Sequence, residues 1–137
     1  MQASTILRWR FSLTKSAAGV AAPVYSVRFG TAGTTADTAR LTYTGVAQTA
    51  ATDTGWVELT VIVRSVSATG TVSGSMSMAH FNTTTGLANK AQAMLFSTTS
   101  ATFDNSGASL IAGVSVNPGA SGVWTFQLVA AEACNLI

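Results

Sequence analysis

Alternation of apolar and polar residues runs through most of this chain and constrains its fold more than any other feature. In "RWRFSLT", Trp9, Phe11 and Leu13 alternate with arginine, serine and threonine, and "GWVELTVIVRSV" repeats the pattern over a longer stretch. A period of two residues is that of a half-buried β-strand, whereas a helix has a period of 3.6 residues. No window of eleven residues shows the helical period. The sequence therefore predicts an all-β protein.

Eight alternating segments are separated by loops rich in Gly, Thr, Ala and Asn. Evenly spaced short strands with turn signals between them are typical of a β-sandwich or a barrel. No internal repeat and no change in composition divides the chain. We therefore expect one antiparallel two-sheet β-sandwich domain over residues 1–137, jelly-roll-like, with about eight strands. The predicted loops cover residues 31–38, 45–55, 83–90, 104–108 and 118–122.

The alternation also predicts the core and the place of the last strand. That strand follows the turn "NPGASG", and it is too long and too aromatic for an open edge, which would invite aggregation. We therefore expect it to lie between two partners, one of them the first strand. Cys134, near its end, is predicted to be a small buried hydrophobe. The side chains expected to be largely buried are Trp9, Phe11, Val57, Leu59, Val61, Val63, Trp124, Phe126 and Leu128.

The composition of the chain indicates which kinds of partner it could bind. Charged residues make up 9% of the chain, against roughly 25% in ordinary domains, and Ala, Thr, Ser and Gly account for more than half. Such a surface is typical of a protein whose neighbouring copies shield it. A net charge of +2 without a basic cluster argues against nucleic acid. Apolar stretches are too short to span a membrane, and Arg8 and Arg10 interrupt any signal peptide, so we expect a soluble chain made in the cytoplasm of its host.

Residues for catalysis or metal binding are scarce. The chain has one His, one Cys and five carboxylates. His80 has no acidic or histidine neighbour in sequence, so a structural or interfacial role is expected. Asp37, Asp53 and Asp104 lie in loop sequences and are predicted to form turns, since no run of ligands suits zinc or calcium. The segment "GTAGTT" lacks the lysine of a phosphate loop. We therefore expect no enzyme activity, no cofactor and no metal.

Two strand faces suggest contact surfaces instead. Trp56 and Ile62 stand among polar residues on one face of the longest strand, which is more apolar than a solvated face requires. The serines of "TVSGSMSMAH" form a flat, small face suited to the close approach of another subunit. The alternative is a glycan platform, for which Trp56, Asp53 and Glu58 are the candidates. The predicted oligomer interface consists of Trp56, Ile62, Ser73, Ser75 and Ser77.

Three phrases carry a resemblance to a known group of proteins: "LRWRFSLTKSAAGVAAPVYSVRFGTAGTTADTARLTYTG", "TDTGWVELTVIVRSV" and "ATFDNSGASLIAGVSVNPGASGVWTFQLVAAE". Together they resemble the jelly-roll-like C-terminal module of tailed-bacteriophage virion proteins, in tail fibres, tail spikes or head decorations. The resemblance covers nearly the whole chain and contains no catalytic signature. It implies a homotrimer on a virion surface, in contact with other virion proteins. It also implies an N-terminal anchoring segment, which is missing here, so the module is either isolated or attaches through its own surface.

Two functions follow as expectations. The first is a non-enzymatic virion structural protein, a fibre or capsid-decoration module that acts by homo-oligomeric assembly and contacts the host surface. The second is a carbohydrate-binding, lectin-like receptor module that binds a cell-surface glycan.

Overall fold

The structure, a computed structural model, describes residues 1–16, 18–82, 85–87 and 93–135, and only the backbone of residues 93, 94 and 128. This part of the chain is all-β and contains no helix, so it also has no helix long and apolar enough to cross a membrane. Most of the predicted loop at 83–90 lies outside the described residues. The strands are β1 (Thr5–Lys15), β2 (Val24–Gly30), β3 (Thr38–Thr44), β4 (Asp53–Ser65), β5 (Thr71–His80), β6 (Ala93–Thr99), β7 (Ile111–Asn117) and β8 (Trp124–Asn135).

The eight strands form two antiparallel sheets, which confirms the predicted β-sandwich. The large sheet has the order β6-β5-β4-β1-β8, and the small sheet has the order β3-β2-β7. At one flank β3 packs over β5 and β6, where the Tyr43 and Phe96 rings lie 6.4 Å apart. At the other flank β7 packs near β1, with Val114 beside Phe11. The two sheets therefore face each other, and β8 of the large sheet extends beyond β7, the last strand of the small sheet.

The core forms where alternating strands turn their apolar faces towards each other. In the β1–β4 register Trp9 lies opposite Leu59 and Phe11 opposite Val57, which stacks the inward side chains in rows. The predicted burial is confirmed for six of the nine residues, and Trp124 is half-buried. The side chain of Leu128 lies outside the described residues. The six confirmed residues are Trp9, Phe11, Val57, Leu59, Val61 and Val63.

The last strand departs from the prediction. β8 pairs with β1 as expected, but within the described residues it has no second partner and forms the edge of the large sheet. Phe126 is consequently 46% exposed, so its predicted burial was wrong. A β-bulge leaves Gln127 without a register partner in β1. Beyond it the inward-facing residues of β8 have odd numbers, such as Val129, whereas Phe126 before it has an even number. Cys134 is exposed on this edge strand, contrary to the expectation of a buried thiol.

Candidate functional site

The five residues of the predicted oligomer interface lie on one surface, the outer face of β4 and β5. In the antiparallel register Ile62 pairs with Ser73, and Ser75 and Ser77 follow along β5 opposite Thr60 and Glu58. Paired side chains on one face of a sheet have Cβ atoms about 5 Å apart, so these residues form one continuous surface. We call it the outer face.

Apolar side chains lie at both ends of the outer face, with hydroxyl groups between them. Trp56 is 39% exposed and Ile62 is 42% exposed, about 20 Å apart along β4. Leu95 of β6, opposite Ser77, is exposed as well. Near Ile62 the surface has a shallow depression lined by small residues, among them Ser73 and Ser75. The face is thus apolar at its ends, and the β5 side of its centre carries only small side chains.

Four charged side chains at the outer face and beside it neutralise one another. The Arg10 Nε atom donates a hydrogen bond of 2.7 Å to Glu58 Oε2, and Arg8 Nε lies 3.8 Å from Glu58 Oε1. On β8, Glu132 lies 3.9 Å from Arg8 and 3.8 Å from Arg10. The hydrogen bond with Glu58 raises the pKa of Arg10. Two cations and two anions thus alternate across β4, β1 and β8, so these four groups add no net charge that would oppose contact with another molecule. Arg64, exposed beyond Ile62 near the end of β4, lies outside this cluster.

Asp53 does not belong to this surface, which corrects its place among the candidate glycan contacts. It is only 3% exposed, on the inward side at the start of β4. Its Oδ1 atom accepts hydrogen bonds from the backbone amides of Thr54 (2.9 Å) and Asn82 (3.1 Å). Its Oδ2 atom accepts one from the Leu87 amide (3.1 Å) and lies 2.8 Å from His80 Nδ1. Of the three candidates, only Trp56 and Glu58 share the outer face.

The pairing of Asp53 with His80 has no signal in the local sequence. The two residues are 27 positions apart, and only the β4–β5 register, which places Gly55 opposite His80, brings them together. Both side chains have no exposed surface, so the pair holds the loop that contains Leu87 and offers no site for a ligand. No group of three or more His, Cys, Asp and Glu side chains in the described part of the chain could hold a metal ion.

The remaining loop carboxylates have the turn-forming roles that the sequence predicts. Asp37 accepts hydrogen bonds from the amides of Ala32 (3.0 Å) and Gly33 (2.7 Å), so the glycine-rich loop binds a carboxylate of its own chain. Asp104 accepts hydrogen bonds from the Ser106 hydroxyl (2.7 Å) and amide (3.0 Å), and these lower its pKa. Neither arrangement leaves a vacant set of donors for an external anion.

No protein-family model matches the chain, and comparisons with curated proteins and with solved structures give no match either. The function therefore has to be argued from the surfaces of the sandwich itself.

Proposed function

We propose that the protein is a non-enzymatic structural module that acts by homo-oligomeric assembly, as a fibre or capsid-decoration component of a bacteriophage virion. The observation that carries the assembly part is the outer face, where Trp56 and Ile62 are exposed around a centre of serine hydroxyls. The virion setting is supported only by the sequence resemblance and by the low content of charged residues.

The physical argument for assembly is the low cost of covering this face. Burying a charged side chain without a partner costs several kcal/mol, but Glu58 already has Arg10 and Arg8 beside it. Serine side chains are short, so another subunit can approach the backbone of β5 closely. Covering Trp56, Ile62 and Leu95 removes apolar area from water, which stabilises the contact by about 25 cal/mol per Å². An obligate interface of this kind typically buries about 2,000 Å² or more in total.

The proposed stoichiometry is a trimer, as the resemblance implies, with a mass of three times 14.0 kDa. Sedimentation equilibrium of the purified chain measures that mass directly. Ile62→Arg should lower the mass, because it places an unpaired charge within the contact. Thr42→Arg is the matched control, since Thr42 is exposed on β3 of the other sheet, away from the outer face and from the β7 and β8 edges. Equal masses for the two variants and the wild type would contradict the proposed interface.

Glycan binding by the outer face is the second candidate. The exposed Trp56 ring supports it, because aromatic side chains form the floor of many sugar sites, but Asp53 is buried and Glu58 is engaged by Arg10. A glycan array probed with the wild type and with Trp56→Ala tests this candidate. Binding that Trp56→Ala abolishes would support it, and the absence of any bound glycan would leave assembly as the function of the face.

A further inference from the structure

The inward face of β8 is apolar and uncovered. In the β1–β8 register Phe126, Val129 and Ala131 lie opposite Leu13, Phe11 and Trp9. The β1 residues are buried in the core, whereas Val129 is 62% exposed and Phe126 and Ala131 are exposed as well. The inward face of the large sheet is therefore buried along β1 and exposed to solvent along β8.

The inward face of β8 is uncovered because, in the described part of the chain, the small sheet has no strand opposite it. Its last strand, β7, lies beside β1, and among the described residues no strand covers β8. A groove of about 340 Å³ runs between Val114 and Val116 of β7 and Phe126 and Val129 of β8. Two further hollows continue it along β8, one beside Trp124 and Phe126 and the other beside Ala131 and Ala133. We call this continuous depression the flank groove.

Both walls of the flank groove are strand edges without a partner. Within the described residues β7 pairs only with β2, and β8 pairs only with β1. The two strands follow each other in the chain and run in opposite directions, since the loop of residues 118–123 joins them at one end of the sandwich. The flank groove thus lies where one further strand of the small sheet would pair with β7 and cover β8.

We propose that this missing strand is β8 of a second copy, bound in a two-fold symmetric dimer. The two-fold axis runs parallel to the strands, between the two layers of the sandwich. Each copy's β8 then lies against the uncovered face of the other β8 and pairs with the other copy's β7. Each layer becomes a continuous sheet of eight strands, in which the five strands of one large sheet adjoin the three strands of the other small sheet.

The direction of the strands supports this arrangement. A two-fold axis parallel to the strands leaves their direction unchanged, so the second copy's β8 runs parallel to the first copy's β8. Because β7 runs opposite to β8, both new junctions are antiparallel. A seven-residue edge such as β7 then gains about seven backbone hydrogen bonds at each junction, and no free edge is left on this flank.

The side chains along the flank groove also suit a second copy. Phe126, Val129, Ala131 and Ala133 on the inward face of β8 carry no charge, so two identical faces can meet without repulsion. The nearby Glu132 is paired with Arg8 and Arg10. A strand from another protein could pair with the free edge of β7, but it would leave the edge of β8 unpaired. A second copy pairs with both edges, because its β8 pairs with β7 and its own β7 pairs with β8. Closed two-fold contacts of this isologous kind are the commonest in homo-oligomers.

The flank groove and the outer face are separate surfaces, so this inference does not depend on the proposed trimer. A dimer alone would support the flank contact and contradict the outer-face trimer, and a trimer alone would do the reverse. A hexamer would support both.

Charge placed on either side of β8 tests the flank contact. Ala131→Glu puts a carboxylate on the inward face, whereas Ala130→Glu puts one on the opposite face, beside its cross-strand neighbour Arg10. Both positions are exposed in the single copy, so both variants should fold, which far-UV circular dichroism checks. We expect Ala130→Glu to keep the wild-type mass in sedimentation equilibrium and Ala131→Glu to halve it. Val129→Glu replaces Ala131→Glu if that variant does not fold.

A spin label on the native Cys134 gives a second readout that a general loss of stability would not imitate. Cys134 is exposed on β8, and in the proposed dimer the two β8 backbones lie about 10 Å apart. We expect dipolar coupling between two labels, with a separation below about 30 Å, in the wild type and its loss in Ala131→Glu. A wild-type monomer or trimer, an unchanged mass for Ala131→Glu, or the absence of coupling in the wild type would each overturn the inference.

Discussion

Removing the Asp53 carboxylate should destabilise the fold far more than the loss of a turn-forming side chain would. In Asp53→Ala the amides of Thr54, Asn82 and Leu87 and the His80 ring lose their acceptor. Water can reach the first two, because Thr54 is exposed and Asn82 is half-exposed, but Leu87 and His80 are buried. A buried donor without an acceptor costs about 1–3 kcal/mol, so two of them cost about 4 kcal/mol.

Urea unfolding followed by tryptophan fluorescence measures this loss, at one chain concentration because oligomerisation shifts the midpoint. Asp37→Ala is the matched control. Its carboxylate binds the amides of Ala32 and Gly33 in an exposed loop, where water replaces it at a cost of about 1 kcal/mol or less. If Asp53→Ala loses no more stability than Asp37→Ala, Asp53 is only a turn former and the argument from its buried contacts fails.

Three further changes test the interior. Gly74→Ala should cost about 1–3 kcal/mol in urea unfolding, because the new Cβ atom would lie 2.6 Å from the Tyr43 hydroxyl oxygen. Gly113→Ala is the control and should be nearly neutral, because its new Cβ atom would have no atom within 4 Å. Equal losses of stability in the two variants would contradict the packing of β5. Asn105→Ala should cost about 2 kcal/mol by the same measurement, because the buried amide bridges Ser65 and Ser67, and a loss below about 0.5 kcal/mol would exclude that role. Burial raises the pKa of Tyr43 to about 12, so the folded state keeps a proton that the unfolded state releases near pH 10. The contribution of Tyr43 to stability should therefore be constant below about pH 10 and fall between about pH 10 and 12. Tyrosinate absorbance that rises in the folded protein near pH 10 would show the phenol to be exposed.

The alternating pattern was sufficient to predict the fold class and most of the core. Along β4 every second residue from Val57 to Val63 is buried, because the period of a strand fixes the face of each side chain once one face meets the other sheet. The same reasoning failed on β8. Whether Phe126 is covered depends on how many strands the opposite sheet has, and the bulge at Gln127 shifts the alternation beyond it.

The contact surfaces were only partly predictable, for a similar reason. Trp56 and Ile62 lie on one strand, so their common face follows from spacing alone. The pairing of Asp53 with His80, and the ion pairs that Glu58 and Glu132 make with the arginines of β1, depend on strand register. Register is set by contacts between distant segments, and a single sequence carries no local signal for it.

Self-association is the central claim, since both proposed contact surfaces require it. Native mass spectrometry of the unmodified protein at micromolar concentration tests it most directly, because each assembly appears as a separate mass. We expect species at two, three or six times 14.0 kDa, according to which surfaces are occupied. A single species of 14.0 kDa across the micromolar range would contradict the claim.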